Sequence, residues 1–267
     1  MNTKNLRNSN LAYDDQGSGQ VILFIHGYPL NRQIWAPQVA GLSQYARVLA
    51  VDLRGHGNSI VGDDDHSMDN LAEDCKDLLE SLSIRKPVVL CGLSMGGYIT
   101  LAFYRRNSEL LAGMVLTATR AAADTPAARE GREKAIQTVK ESGSGTVIEA
   151  MLPKLLSPVS LASKPELVNH VRQIMTSIPD RTYINDLMGL KDRPDSTRLL
   201  PTMHLPVLII HGEDDQIVPL EEARRMQRAI PNSRLEVIPQ AGHLLNLEQP
   251  VAFNRAVRQF LAEIQGG

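Results

Sequence analysis

Short apolar runs alternate with amphipathic stretches along most of the chain. Runs such as Val21–Ile25 and Val88–Leu90 have the length and the β-branched composition of buried strands. The alternation extends as far as Leu116 and resumes from Val207 to Leu261. Strands that alternate with helices are typical of a parallel sheet covered on both faces. We therefore predict an α/β fold, with a mostly parallel sheet flanked by helices.

The alternation is interrupted over residues 121–196, where the pattern is helical and no strand is convincing. Thr125 followed by Pro126 indicates a helix start, because threonine caps a helix and proline suits its first turn. Apolar residues at helical spacing predict one buried helix face further along, and they are Leu167, Val171, Ile174, Met175 and Ile178. We predict an α/β core in two parts, 1–120 and 197–267, separated by a helical lid insertion at 121–196.

Composition excludes several classes of protein. A chain of 267 residues that is 43% hydrophobic suffices for one large α/β domain. Lys and Arg number 28 against 30 Asp and Glu, a formal charge of -2, and no basic run would bind nucleic acid. No apolar run approaches the ~20 residues of a membrane span, and none follows the segment Met1 to Arg7.

The two cysteines bear on the compartment. Cys75 falls in a helical pattern and Cys91 in a predicted buried strand, which suits a reducing environment better than a disulfide framework. We expect a cytoplasmic protein whose partner is a small molecule, with no nucleic acid or membrane partner. The oligomeric state stays open.

A serine stands at the centre of a G-x-S-x-G motif directly after one predicted strand. The motif spans Gly92 to Gly96, with Ser94 in the middle and a helical pattern from Gly96 to Arg106. A sharp strand-to-helix turn holds such a serine above the sheet edge, and a side chain at either glycine would collide with neighbouring backbone. The motif predicts a nucleophile, Ser94, and leaves the Met95 N–H free to bind a developing oxyanion.

An acid and a histidine follow later in the chain, each after a predicted strand. Asp215 lies beyond Val207–Ile210, and His243 lies beyond Leu235–Ile238. A serine needs a base to attack at neutral pH, and a carboxylate fixes the tautomer of that base. We predict the triad Ser94, His243 and Asp215, with Asp214 as the alternative acid.

The chain resembles the α/β-hydrolase superfamily over nearly its whole length, since five motifs occur in the order typical of that family. They are the turn His26–Pro29, the segment Asp52–Ser59, the serine turn, the G-x-x-D-x-x-V-P stretch ending at Pro219, and Ala241–His243. The resemblance implies an ester or lactone hydrolase that forms an acyl-enzyme. Tyr28 is the expected second oxyanion donor, through its backbone N–H.

Within the superfamily the chain looks most like small esterases, enol-lactonases and cofactor-free haloperoxidases. The stretches Ala123–Pro126 and Arg193–Ser196 are similar to 3-oxoadipate enol-lactonase-like members. A lactone that bears a carboxylate would need a cation in the pocket, and Arg32 or Arg120 would supply it. Peracid formation with peroxide and a catalytically silent small-molecule receptor are further alternatives.

Apolar residues of the predicted lid suggest an adaptable pocket, and they include Met151, Leu155, Met175 and Met188. We expect Arg120, Met151, Val218 and Leu244 to contact the substrate.

A charged cluster at Asp52, Arg54 and His56 raises the question of a metal site. Arg54 in its middle opposes a cation, so we interpret the cluster as hydrogen bonding within a loop. We expect no metal, and no cofactor.

Overall fold

The computed structural model describes residues 2–5, 10–60 and 65–266. Its strands are β1 (Asn2–Asn5), β2 (Asn10–Gln16), β3 (Val21–Ile25), β4 (Arg47–Val51), β5 (Val88–Leu93), β6 (Leu111–Thr117), β7 (Val207–Gly212) and β8 (Ser233–Ile238). They form one sheet in the order β1-β2-β4-β3-β5-β6-β7-β8. Strands β3 to β8 pair in parallel, and β1 and β2 pair antiparallel at one edge. The predicted fold class, an α/β fold with a mostly parallel sheet, is confirmed.

Helices cover both faces of this sheet. They are α1 (Ala36–Leu42), α2 (Met68–Ser81), α3 (Met95–Asn107), α4 (Pro126–Ser142), α5 (Gly145–Leu155), α6 (Pro158–Ser163), α7 (Pro165–Thr176), α8 (Asp180–Asp192), α9 (Leu220–Ala229), α10 (Leu245–Glu248) and α11 (Pro250–Gly266). Helix α1 packs on α11, and α2 packs on α3. The connection from β3 to β4 moves one way along the sheet, and the connection from β4 to β5 moves the other way. Because both crossovers are right-handed, the two helix pairs lie on opposite faces of the sheet. Within the described chain, no helix combines the length and apolarity needed to cross a bilayer.

The antiparallel edge was not predicted. Strand β2 buries only Leu11, Ala12 and Tyr13, and then continues into Asp14 and Asp15. Pairing with β4 compensates for this short apolar run, and Arg47 of β4 donates two hydrogen bonds to the Asp15 carboxylate at 3.0 and 2.7 Å. The strand is therefore fixed by its neighbour rather than by its own pattern.

Residues 121–196, the helical insertion, contain five helices, α4 to α8, between β6 and β7. Helix α4 begins at Pro126, and the Thr125 hydroxyl accepts a hydrogen bond from the Ala128 N–H at 3.2 Å, as the sequence predicts. The predicted apolar stripe is buried except at Leu167, which is partly exposed. Its last member, Ile178, lies beyond the end of α7 at Thr176.

The two ends of the helical insertion are joined to each other. Asp124 pairs with Arg193 at 2.7 Å, and the Arg193 guanidinium also donates to the Ala122 carbonyl at 3.0 Å. The Ser196 N–H donates to the Ala121 carbonyl at 2.9 Å. The two enol-lactonase-like stretches of the sequence therefore meet in space and close the neck of the insertion.

The carboxyl ends of the parallel strands share one edge of the sheet, and the chain reverses direction along the sheet between β3 and β5. It leaves β3 toward β4 on one side and β5 toward β6 on the other. Crevices at such switch points are the usual ligand sites of open α/β sheets. The turns after β3 and β5 both lie at this switch point.

Candidate active site

Ser94 occupies a strained turn between β5 and α3. Its φ of 54° and ψ of -110° lie outside the regions that L-residues favour, and its side chain is half-buried. A Cβ at Gly92 would overlap the Gly96 carbonyl, and a Cβ at Gly96 would overlap the Ile25 carbonyl. The collision predicted at both glycines is confirmed. Helix α3 starts at Met95, so the positive end of its dipole lies beside Ser94.

Hydrogen bonds hold the backbone of Ser94, and none within the described part of the chain engages its hydroxyl. Its N–H donates to the Thr117 carbonyl at 2.9 Å. Its carbonyl accepts from the Thr119 hydroxyl at 2.8 Å and from the Gly97 N–H at 2.9 Å. The Ser94 hydroxyl does not cap α3. No competing partner among the described residues therefore holds the hydroxyl away from a base, which a serine nucleophile needs nearby.

His243 and Asp215 form a buried pair at the ends of β8 and β7. The Nδ1 of His243 lies 2.8 Å from Oδ2 of Asp215, and both side chains are almost fully buried. The other oxygen of Asp215 accepts from the backbone N–H groups of Ile217 and Val218 at 2.8 and 3.0 Å. Asp214 uses its N–H to bind the Ala241 carbonyl. The carboxylate beside His243 is thus that of Asp215.

The electrostatics of this pair fix the histidine tautomer. Burial alone would raise the pKa of Asp215, but His243 and the Val218 N–H outweigh it and lower that pKa. An ionised carboxylate can only accept, so the proton of neutral His243 sits on Nδ1 and its Nε2 keeps a lone pair.

A second histidine, His211, contacts the same carboxylate, and the sequence analysis missed its role. Its Nε2 lies 2.9 Å from the Val218 carbonyl and 3.5 Å from Oδ2 of Asp215. Burial lowers the pKa of His211, so the ring is neutral and donates from Nε2. The only signal in the sequence is its position four residues before Asp215, at the last positions of β7.

The turn after β3 brings Tyr28 to the serine. A Cβ on Gly27 would lie 3.0 Å from the Leu93 carbonyl oxygen and 3.2 Å from Cβ of Ser94, so a side chain there would crowd the serine turn. The N–H groups of Tyr28 and Met95 donate no hydrogen bond within the described residues. The Tyr28 ring packs edge-on against Tyr183 with centroids 5.5 Å apart.

His26 supports this turn from below. Its Nε2 accepts the Leu53 N–H at 3.0 Å, and its Nδ1 lies 2.9 Å from the Gly27 carbonyl. Burial, with a smaller contribution from His56, lowers the pKa of His26 to about 3. The ring is therefore neutral and serves the loop backbone.

The charged cluster after β4 is a hydrogen-bonded loop. Asp52 accepts from the Arg32 and Asn58 N–H groups at 2.7 and 2.9 Å, and Arg54 forms a two-bond pair with Asp74 at 2.7 Å each. Within the described part of the chain no group of three or more potential ligands is arranged for a metal ion. Arg32 also binds the Asp14 and Asp52 carboxylates. Its charge is therefore neutralised, which argues against a substrate role for Arg32.

Arg120 belongs to an Asp124 cluster, in which one carboxylate meets three guanidinium groups. Arg120 donates to Oδ1 of Asp124 at 3.0 Å, Arg193 pairs with that oxygen at 2.7 Å, and Arg132 binds Oδ2. Positive charge is in excess here. The Nε of Arg120 is buried and finds no acceptor among the described residues. Thr119, which binds the Ser94 carbonyl, directly precedes Arg120.

The apolar residues expected at the substrate lie in different environments. Met151 lines an open apolar groove of about 560 Å³ between α4, α5 and the loop after β7, together with Gly131, Val147 and Ile217. Val218 and Leu244 are buried close to Asp215 and His243. The remaining apolar residues that the sequence analysis names in the insertion differ in exposure. Leu155 and Met175 are fully buried, and Met188 is 49% exposed.

Comparisons with known proteins agree with the fold. The family model described as alpha/beta hydrolase fold matches residues 20–250. A thermophilic esterase from Thermogutta terrifontis, solved with malate bound, is 37% identical with a TM-score of 0.96, and the match covers 99% of each chain.

Two curated relatives are similar over most of their length. The 3-oxoadipate enol-lactonase 1 of Acinetobacter baylyi is 29% identical over 91% of this chain and 89% of its own. The non-heme haloperoxidase of Rhodococcus erythropolis is 31% identical over 87% of this chain and 89% of its own. Named activities therefore differ among proteins that are similarly distant from this chain.

Proposed function

The chain belongs to the α/β-hydrolase family, and on that premise we propose that it is a serine hydrolase that cleaves a carboxylic ester or lactone through an acyl-enzyme. Ser94 is the nucleophile, His243 the base and Asp215 the acid that orients the base. The backbone N–H groups of Tyr28 and Met95 form the oxyanion hole. The helical insertion acts as the lid over the crevice.

The reaction proceeds in two halves. The Ser94 hydroxyl attacks the carbonyl carbon while Nε2 of His243 accepts its proton, and the two N–H groups bind the resulting oxyanion. The tetrahedral intermediate then expels the alcohol, which takes the proton from His243. Water, activated by the same imidazole, attacks the acyl-enzyme and releases the acid and free Ser94.

One observation carries this proposal. Ser94, whose hydroxyl has no hydrogen bond among the described residues, lies on a turn of positive φ at the same strand edge as a histidine whose Nδ1 is 2.8 Å from a buried carboxylate. The pair leaves Nε2 of His243 as an acceptor, which is the one property that a serine nucleophile needs from its base. The esterase and enol-lactonase names of the similar proteins support the ester or lactone class.

Replacing the nucleophile tests the mechanism. We expect Ser94→Ala to lower kcat for a 4-nitrophenyl ester by about 10⁴- to 10⁶-fold, because triad residues act as a unit. A fluorophosphonate probe should label Ser94 of the wild type and nothing in the variant. Near-wild-type turnover by the variant, or a label on another residue, would refute the proposal. A wild type that is inert to esters and probe but binds a small ligand would favour the receptor alternative.

A second candidate is a lactone or ester that bears a carboxylate, and the Asp124 cluster favours it. Three guanidinium groups around one carboxylate leave net positive charge, and the buried Nε of Arg120 has no acceptor in the part of the chain that the structure describes. A carboxylate placed there would gain a charge-assisted hydrogen bond.

The comparison of neutral aryl esters with 3-oxoadipate enol-lactone distinguishes the two candidates. If the second is correct, the wild type prefers the lactone and Arg120→Ala loses that preference while it retains aryl ester turnover. Arg129→Ala is the matched control, since Arg129 lies on the exposed side of α4 and pairs with Asp192. If wild type, Arg120→Ala and Arg129→Ala all turn over both substrates equally, the protein is a general esterase.

A further inference from the structure

The loop of residues 240–244, which carries His243, is packed between the core and the helical insertion. On the core side, its Ala241 carbonyl accepts from the Asp214 N–H at 2.9 Å. On the insertion side, the Leu244 N–H donates to the Leu155 carbonyl at 3.0 Å. The base therefore takes its position partly from a segment outside the sheet.

The space around Gly242 shows how close this packing is. A Cβ on Gly242 would lie 2.6 Å from the Ser157 nitrogen and 2.7 Å from the Leu156 carbonyl carbon. The Ser157 hydroxyl also donates to the Gln240 carbonyl at 3.3 Å. The residue directly before His243 is thus in backbone contact with the junction between α5 and α6.

A buried carboxylate bridges these two backbones. Glu248, the last residue of α10, is 1% exposed. Its Oε1 accepts from the Gly242 N–H at 2.7 Å, and its Oε2 accepts from the Ser157 N–H at 2.8 Å. Hydrogen bonds to an ionised acceptor are about twice as strong as neutral ones, and an unpaired buried carboxylate is costly. Glu248 therefore holds the Gly242 and Ser157 peptides at a fixed separation.

We propose that Glu248 is a positioning residue that couples the docking of the helical insertion to the alignment of His243. The inference rests on the role of His243 in the proposed function. When the insertion is docked, both oxygens of Glu248 are bound and the Gly242 peptide is fixed. When the Ser157 contact is lost, the peptide before His243 is free to shift, and a shift of about 1 Å costs about 10²-fold in rate.

The leaving group reports the alignment of the base. His243 must return a proton to the departing alcohol, and an alkoxide needs that proton far more than 4-nitrophenolate, which is a weak base. With the same acyl group, kcat/KM reports the acylation half of the reaction, where the leaving group departs. A misaligned base therefore slows alkyl esters more than aryl esters, whereas a general loss of folded protein slows both equally.

The experiment compares wild type, Glu248→Gln and Glu248→Asp on an alkyl ester and a 4-nitrophenyl ester of the same acid, per site titrated with a fluorophosphonate. Glutamine keeps one acceptor oxygen but presents an amide donor to the other N–H. Aspartate keeps the charge but is shorter by one methylene and reaches only one N–H. We expect kcat/KM for the alkyl ester to fall at least about tenfold more than for the aryl ester in both variants, with KM nearly unchanged.

The control variant is Glu263→Gln, because Glu263 is an exposed glutamate of α11 paired with Arg234. It should keep the wild-type ratio of the two esters. Equal losses for both esters in the Glu248 variants, or no loss, would overturn the coupling and leave the proposed function intact. A wild type inactive on both esters would refute the proposed function itself.

Discussion

The Asp215 carboxylate is surrounded by two backbone N–H groups and two imidazole rings. Two backbone N–H groups fix one oxygen, and two imidazoles face the other, with His243 at 2.8 Å and His211 at 3.5 Å. His211 also binds the Val218 carbonyl, so it braces the loop that holds the carboxylate. The carboxylate is thereby oriented by four groups before any substrate binds.

This arrangement predicts unequal effects at two adjacent aspartates. An asparagine at 215 would present its amide to Nδ1 of His243, which moves the imidazole proton to Nε2 and removes the acceptor for the serine proton. We expect Asp215→Asn to lower kcat/KM for an ester by about 10⁴-fold. Asp214→Asn should stay within a few-fold of the wild type. Both variants are measured at a temperature where each is fully folded, and the reverse order would make Asp214 the acid.

His26 links the turn after β3 to the pH dependence of stability. Its pKa in the folded protein is about 3, against 6.5 for the free side chain. As the pH falls below 6.5, His26 binds a proton in the unfolded chain but stays neutral in the folded protein. The stabilisation is therefore complete above pH 6.5 and is lost as the pH falls toward 3, by up to about 1.4 kcal/mol per pH unit. His211, whose pKa is also lowered by burial, acts in the same direction.

The test replaces His26 with glutamine, whose oxygen can still accept the Leu53 N–H. Between pH 6.5 and 5 the wild type should lose about 2 kcal/mol more of its free energy of unfolding than His26→Gln, as measured by urea denaturation. His204→Gln is the control, because His204 is exposed and should leave the wild-type slope unchanged. Parallel slopes for wild type and His26→Gln would contradict the assignment. His56, whose pKa is raised, acts in the opposite direction, and its contribution to the slope fades as the pH falls below 6.5.

Among the elements, α8 holds the helical insertion on the core through one buried carboxylate. Asp186 lies 2.6 Å from Nδ1 of His66 and 2.9 Å from Nε2 of His56, and all three side chains are fully buried. Burial alone would raise the pKa of Asp186, but the two imidazoles, His56 foremost, lower it to about 2. One helix of the insertion thus forms an ion pair with the loop after β4 and a hydrogen bond with a residue that precedes α2.

Asp186→Asn should destabilise the protein by about 3 kcal/mol, since it leaves two buried imidazoles without a charged partner. The matched change on the same helix, Asp192→Asn, should cost less than about 1 kcal/mol, because Asp192 is exposed and forms a surface pair with Arg129. Denaturant unfolding at pH 7 measures both. In the wild type the contribution of Asp186 is present above pH 3.8 and is lost as the pH falls toward 2. Equal destabilisation by the two variants would refute the anchoring role.

The sequence predicted those elements whose signals are local. Ser94 could be placed because two glycines mark its turn, and α4 because Thr125 and Pro126 mark its start. Strand β2 could not be predicted, because its stability comes from pairing with β4. Glu248 was missed for a similar reason, since its donors lie 6 and 91 residues away and nothing near it indicates a buried carboxylate.

At the scale of the whole molecule, the groove between the helical insertion and the core predicts a preference for acyl length. Each methylene buried there contributes about 0.8 kcal/mol, or roughly fourfold in kcat/KM, until the groove is full. Gly131 lines this groove, and a side chain there would meet open space. Gly131→Leu should therefore fill the groove without disturbing α4 and shift the preference toward shorter acyl chains.

The measurement is kcat/KM for a series of 4-nitrophenyl esters from acetate to decanoate. Gly145→Leu is the control, because Gly145 also borders open space but lies at the start of α5, outside the groove. It should reproduce the wild-type profile. An unchanged profile in Gly131→Leu would show that the acyl chain binds elsewhere.

The closed neck of the helical insertion has a consequence for how such enzymes diversify. Because both ends leave the core at one point, joined by Asp124 and Arg193, a foreign insertion can be grafted there without rearranging the sheet. The graft must also supply a backbone N–H at the place of Ser157, however, since Glu248 binds it together with Gly242. We expect chimeras matched only at the neck to fold and to bind substrates of the donor, yet to turn them over slowly. A chimera must therefore preserve two contacts. The Asp124–Arg193 pair keeps the fold at the neck, and the hydrogen bond from the Ser157 N–H to Glu248 keeps the reaction rate.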